Sequence, residues 1–154
     1  MVLRDFRPDD QGAVRDIVLD GMRERWGDAF DAAVNVDLDD IWTYYVSERR
    51  AEVVVCEEEG AVVATGTLLP LDIDTGQLVR IAVIRQQRRK GIAAAIVKEL
   101  QRRAGQNEMK TLVVTTDVPW TDAVALYRAC GFTVVETTHT TAMLCMDIAR
   151  DAQQ

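Results

Sequence analysis

The chain has 154 residues, 48% apolar and 28% charged, with three prolines and no low-complexity run, which excludes a disordered or fibrous protein and fits one domain that needs no disulfide staple. A formal net charge of -7 argues against general affinity for nucleic acid or an anionic membrane, since both polyanions repel it, and no apolar run is long enough to span a bilayer. The average hides a division: residues 1–79 carry 7 Lys and Arg against 18 Asp and Glu, a balance of -11, whereas residues 80–154 carry 11 against 7, a balance of +4.

Met1 leads directly into Val2-Leu3-Arg4-Asp5-Phe6, a strand-like run without the basic and apolar blocks of a secretory leader. Arg7-Pro8-Asp9-Asp10 predicts a helix start, because proline fits a first turn and acids favour the positive end of the helix dipole. Val14, Ile17, Val18, Met22 and Trp26 then recur at helical spacing. After an irregular, aromatic-bearing loop, a second helix is predicted from near Asp37, with Leu38, Ile41, Trp42, Tyr45 and Val46 on one face. Residues 52–58 and 61–70 are rich in Val and Thr, and Glu59-Gly60 between them suits a tight hairpin turn.

Beyond a polar turn at 72–76, Leu78, Val79, Ile81, Ala82, Val83 and Ile84 form a nearly continuous apolar run, which predicts a central strand buried on both faces. Residues 91–105 return to helical spacing through Ile92, Ala95, Ile96 and Leu100, and residues 110–116 predict another buried strand. Strand, helix and strand here make a crossover unit. Residues 120–130 predict a short helix stopped by Gly131, followed by a closing hairpin over 132–138 and 141–148. Without a repeat or linker, one domain is expected over 1–150, with a tail at 151–154.

Cys56, Cys130 and Cys145 lie in apolar segments without C-x-x-C spacing, which predicts reduced thiols in a cytoplasmic protein. One histidine and three dispersed cysteines offer no zinc spacing, and no EF-hand pattern occurs, so no metal is expected. That histidine, His139, falls in the turn Thr137-Thr138-His139-Thr140-Thr141 and is expected at the surface.

The chemistry concentrates in Val83-Ile84-Arg85-Gln86-Gln87-Arg88-Arg89-Lys90-Gly91-Ile92-Ala93, which runs from a strand through a basic loop into a helix. A helix start presents main-chain N–H groups and positive dipole charge, glycine or alanine there lets a diphosphate approach, and Arg88, Arg89 and Lys90 add mobile positive charge. Neither G-x-x-x-x-G-K-S/T nor G-x-G-x-x-G is present, which disfavours a nucleotide triphosphatase.

Arg88-Arg89-Lys90-Gly91-Ile92-Ala93 fits Arg/Gln-x-x-Gly-x-Gly/Ala, and so resembles the acetyl-CoA pyrophosphate loop of GNAT acetyltransferases. Ile81-Ala82-Val83 looks like that family's pantetheine-pairing segment, and Ala123-x-x-Leu126-Tyr127-x-x-x-Gly131-Phe132 resembles its later helix-and-turn signature. The resemblance implies an α/β fold: a mixed, mostly antiparallel sheet of about seven strands opened in a V and flanked by about four helices. It also implies acetyl-CoA as cosubstrate, held by Ile81, Ala82, Val83, Arg88, Arg89, Lys90, Gly91, Ile92, Ala93 and Ala94. A neutral amine would attack the thioester carbonyl, a backbone N–H near Val83 would stabilise the oxyanion, and Tyr127 would protonate the departing thiolate.

The sequence departs from the family pattern twice. Trp120 stands where many relatives carry Asn, either lining the acceptor site or anchoring its helix, and Gln77 stands where histone-acetylating relatives carry a basic Glu. Asp74, Asp117 and a chain of waters are the alternatives for the base, and an amine of lowered pKa would need no dedicated protein base. In the GNAT arrangement the segment 26–45 covers the acceptor side; its acids and its aromatics Trp26, Trp42, Tyr44 and Tyr45 suggest a small, cationic amine. The closing hairpin and sheet edge are candidate homodimer contacts. The competing readings are an acyl-CoA sensor or interaction module of the same fold, and a transferase that uses another acyl-CoA.

Overall fold

A computed structural model describes residues 1–148; the expected domain end at 150 and the tail at 151–154 lie outside the described residues. The Val- and Thr-rich segments form strands β1 (Val2–Asp5), β2 (Glu52–Glu58), β3 (Ala61–Pro70), β4 (Thr75–Val83), β5 (Thr111–Asp117), β6 (Thr133–Thr137) and β7 (Thr141–Asp147). They build one seven-stranded sheet in the order β1-β2-β3-β4-β5-β7-β6. Neighbours are antiparallel except β4 and β5, which run parallel because helix α2 (Ile92–Gln106) carries the chain across between them. Glu59 and Gly60 join β2 to β3 with φ of 51° and 82°, the left-handed pair that a tight hairpin requires.

β2 shows why the sheet is covered on both sides. Val53 and Val55 point into one cluster with Val14, Val18 and Leu19 of helix α1 (Gln11–Trp26), whereas Val54 and Cys56 point into the other with Ile96, Val97 and Leu100 of α2. Helix α3 (Thr121–Ala129) lies on the α2 side, through Tyr127. Each fully buried Val or Leu stabilises the fold by about 1.5–3 kcal/mol relative to the exposed side chain, so continuous apolar strands are favoured here over alternating ones. Gly66 on β3 allows close packing: a Cβ there would lie 2.5 Å from Ile96 Cγ2 and 2.8 Å from Ile81 Cδ1.

Two expectations change. The predicted second helix is instead a 3-10 turn, Val36–Leu38, followed by a π-wound turn, Trp42–Ser47, in which the Glu48 N–H donates to Thr43 O at 3.0 Å. The wider winding rotates the apolar face, so Leu38, Ile41 and Tyr45 are buried while Trp42 is 42% exposed. β4 is central, but Val79 to Val83 are only half-buried, because the sheet opens beside them. β5 pairs with β7 from Thr111↔Asp147 to Asp117↔Thr141, whereas it pairs with β4 only at Thr75↔Thr111, Gly76↔Leu112 and Gln77↔Val113. Beyond Gln77 the two strands part. Among the described residues no helix is long and apolar enough to cross a membrane.

Candidate active site

The parting strands leave a cleft of about 820 Å³, walled by β4 from Gln77 to Val83, β5 from Val114 to Asp117, the start of α2, one face of α3 and residues 18–25 of α1. The Ile84 N–H donates to Val63 O on β3 at 2.9 Å. Successive peptide groups of a strand point to opposite sides, so the Val83 N–H faces away from β3, along the edge that β5 has left, and Ile81 lines the same cleft. Between them and Val79 the pairing slips from Thr65↔Ala82 to Thr67↔Val79, and Arg80 adopts φ 56°, which is bulge geometry more usual for glycine.

The basic loop ends on Gly91, whose φ of 79° turns the chain into α2. The first helical bond is Ala95 N–H to Gly91 O at 3.0 Å, so the N–H groups of Ile92, Ala93 and Ala94 have no intrahelical acceptor and face the cleft at the positive end of the dipole. Nothing lies within 4 Å of a Cβ built on Gly91, which leaves room there for an anion such as a diphosphate.

The structure differs from the sequence reading of this wall at two residues. Ile81, Ala82, Val83, Arg88, Arg89, Gly91, Ile92, Ala93 and Ala94 all line the cleft; Lys90 does not, its Nζ donating to Gln87 Oε1 at 3.1 Å. Arg88, expected to be mobile, is anchored: its guanidinium donates to both oxygens of Glu24 on α1 at 2.8 Å and to Val83 O at 3.2 Å. The Arg88 guanidinium holds the Glu24 carboxyl below the usual carboxylate range.

Tyr127 reaches the cleft from α3, its ring edge-on to Phe132 at 5.8 Å. Burial pushes its hydroxyl up from the usual phenol value, and among the described residues no side chain hydrogen-bonds it. Every buried side-chain N or O in the described residues has a partner, so the Tyr127 hydroxyl is the part of that residue open to the cleft. Beside it, Arg25 of α1 donates to both Asp122 oxygens at 3.2 and 2.7 Å and stacks 4.3 Å over the Trp120 ring, which also meets Trp26 at 5.7 Å. Trp120 therefore both lines the cleft and anchors α3 to α1.

Other expectations fare differently. Gln77 and Asp117 line the cleft, but Asp74 does not; it sits at the far end of β4 with its carboxylate 3.9 Å from Lys110 Nζ. His139 is exposed in its turn. None of the residues 26–45 lines the cleft, and the acidic front half contributes no carboxylate to its wall, only the cation Arg25. Tyr44 is instead stacked by Arg49 at 3.5 Å, and Tyr45 is buried with its hydroxyl donating to Asp37 Oδ2 at 2.6 Å.

Sequence reasoning missed the cluster around Asp37. Arg80 Nε and Nη2 donate to Asp37 Oδ2 and Oδ1 at 2.9 and 2.7 Å, and Nη2 also donates to Asn35 Oδ1 at 3.0 Å. Burial alone would raise the Asp37 carboxyl, but the bonds from Arg80 and Tyr45 outweigh it and hold the group below its ordinary value. The only sequence signal was an arginine within an otherwise apolar strand.

A strand pair opened in a V, with a glycine-led helix start at one side and a tyrosine at the other, is the arrangement that the sequence resemblance implies. The model of the Acetyltransferase (GNAT) family matches residues 13–132, and the chain belongs to that family. Human N-acetyltransferase 8 is 31% identical over 71% of this chain and 51% of its own length, and the rat protein of that name is 32% identical over 70% and 50%. The chain thus spans about half the length of these curated relatives. An acetyltransferase from Streptococcus agalactiae superposes with a TM-score of 0.83 at 14% identity, over 95% of this chain and 97% of its own. The PaiA N-acetyltransferase of Thermoplasma acidophilum in complex with coenzyme A does so with 0.83 at 8% identity, over 95% and 98%. A GNAT family acetyltransferase from Elizabethkingia anophelis with acetyl-CoA bound gives 0.62 at 19% identity, over 70% and 81%.

Proposed function

We propose that the chain transfers the acetyl group of acetyl-CoA to a primary amine of a small molecule or peptide, by direct attack within a ternary complex. The observation that carries this reading is the parting of β4 and β5 after Gln77, which brings Ile81 to Val83, the Arg88–Ala94 turn and Tyr127 onto one cleft. The N–H groups at the start of α2, with Arg89, would hold the diphosphate. The free edge of β4 would pair with the amide groups of the pantetheine arm, and a β4 N–H facing the cleft would stabilise the oxyanion as the amine attacks. Tyr127 would give its proton to the departing sulfur, a role open to a phenol that burial keeps protonated at neutral pH.

The front half offers no acid at the cleft, so a cationic acceptor would be recognised through Asp117 of the back half, Asp122 being already paired with Arg25. Asp117 is the cleft-lining candidate for the base. The three thiols are free, which fits a reducing cytoplasmic setting, and the exposed edge strand β6 is the surface available to a second copy. Gln77 in the cleft favours the second reading, an acyl-CoA-binding module without turnover. Thiol-reagent detection of CoA release separates the two. Release that depends on added amine supports the transferase, whereas tight acetyl-CoA binding without release across polyamines, amino acids, aminoglycosides and peptide N-termini supports the module. Release with succinyl- or propionyl-CoA but not acetyl-CoA would change the donor.

A further inference from the structure

The bulge on β4 is held from both faces. Arg80, in the left-handed region, projects to the α1 side, where Asp37, Asn35 and Tyr45 fix its guanidinium; Ile81 packs over Gly66 on the α2 side. A Cβ crowds the following carbonyl at φ 56°, so the Arg80 backbone would relax toward an extended conformation unless something opposes it. A bidentate guanidinium–carboxylate fork has one geometry, and rotating the Arg80 backbone would pull that fork off Asp37. Asp37 cannot follow, because Tyr45 binds the same oxygen from a buried position.

We propose that Arg80 is a positioning residue: clamped by Asp37, Asn35 and Tyr45, it holds the β4 bulge that aims the Val83 N–H into the cleft, and so fixes the donor that polarises the thioester carbonyl. The inference rests on the acetyltransferase reading. Asp37 neutralises the Arg80 charge, so Arg80 acts through its own backbone and not as a free cation in the cleft. The clamp also ties the segment 35–45 to the strand that carries the donor, which is why that segment matters to the site although it does not line it.

The test is isotope-edited infrared spectroscopy of acetyl-CoA labelled with carbon-13 at the acyl carbonyl and bound to the full chain. The wild-type protein should shift the carbonyl band to lower frequency than in free acetyl-CoA. In Arg80→Lys, which keeps the charge but loses the fork, and in Arg80→Gly, which tolerates the bulge but loses the clamp, the shift should shrink. Turnover should fall by about 100-fold, the scale for misplacing a group by about 1 Å, while the Kd for acetyl-CoA stays within about twofold. Should these variants fail to fold by circular dichroism, the double variant Asp37→Asn/Arg80→Gly, which leaves no buried charge without its partner, gives the same reading. Folded variants that keep the wild-type band and turnover overturn the clamp, as does a wild-type band that does not move on binding. A wild-type protein that binds no acetyl-CoA overturns the acetyltransferase reading, and the clamp with it. One that binds and shifts the band but turns over no amine fails the acetyltransferase reading alone, and the clamp is then judged on the band.

Discussion

Two tyrosines are buried on opposite faces of the same sheet, Tyr45 at 5% exposure and Tyr127 at 7%, and burial raises both hydroxyls above the ordinary phenol value. Their surroundings differ in one respect. The Tyr45 proton is committed to Asp37 at 2.6 Å inside a network that also holds Arg80 and Asn35, whereas the Tyr127 hydroxyl has no such partner and opens on the cleft. Burial alone therefore does not mark a functional tyrosine. A donor already engaged in the fold contributes stability and geometry, and a donor held dry but unengaged is available to a substrate atom.

The sharpest way to break this comparison is Tyr127→Phe. Turnover should fall by about 100- to 1,000-fold, in the range for loss of a general acid, with the Kd for acetyl-CoA and the melting temperature nearly unchanged. Because burial raises this hydroxyl, wild-type turnover should show no alkaline loss from Tyr127 as the pH rises through about 10, the ordinary phenol value. Normal turnover in the variant would place Tyr127 with Tyr45 as a packing residue.

Tyr45→Phe should do the reverse, costing about 1.5–3 kcal/mol in urea unfolding through the lost bond to a carboxylate, with a smaller fall in turnover. The sign of its pH dependence follows from Asp37, whose folded value is depressed. The cluster's contribution is complete above the unfolded carboxylate value of about 4 and is lost as the pH falls below it, so the deficit of Tyr45→Phe against wild type should narrow in acid. A deficit that stays constant down to pH 2 would detach Tyr45 from Asp37.

The smallest effect concerns Glu24. This exposed carboxylate occupies the Arg88 fork at the edge of the cleft, so Glu24→Gln should free Arg88 and tighten acetyl-CoA binding by about threefold in calorimetry, as expected for a solvent-screened pair. Weaker binding in the variant would show that Glu24 supports the loop and does not compete with the ligand.

Much of the molecule is legible in local pattern. The hairpin at Glu59-Gly60, the helix start at Gly91 and the turn at Gly131 each need a left-handed backbone that the residues there supply, or nearly so, and the structure places all three in that region. Apolar continuity identified β4 as central, and the spacing from Arg88 to Ala93 identified a glycine-led helix start, because both are properties of a few consecutive residues. The winding of Trp42–Ser47 was not legible, since the same apolar spacing serves an α-helix and a π-wound turn until packing chooses between them.

Sequence by itself determined which segments become strands, which become helices outside residues 36–47, where they turn, and which basic run leads into a helix; these depend on side-chain periodicity and local backbone freedom. Tertiary structure alone decided that β4 and β5 part after three paired positions, that α1 rather than the segment 26–45 walls the cleft, and that Arg80 meets Asp37, 43 residues away in the chain. Those outcomes follow from the angle and register at which distant elements dock, and no spacing between neighbouring residues encodes either.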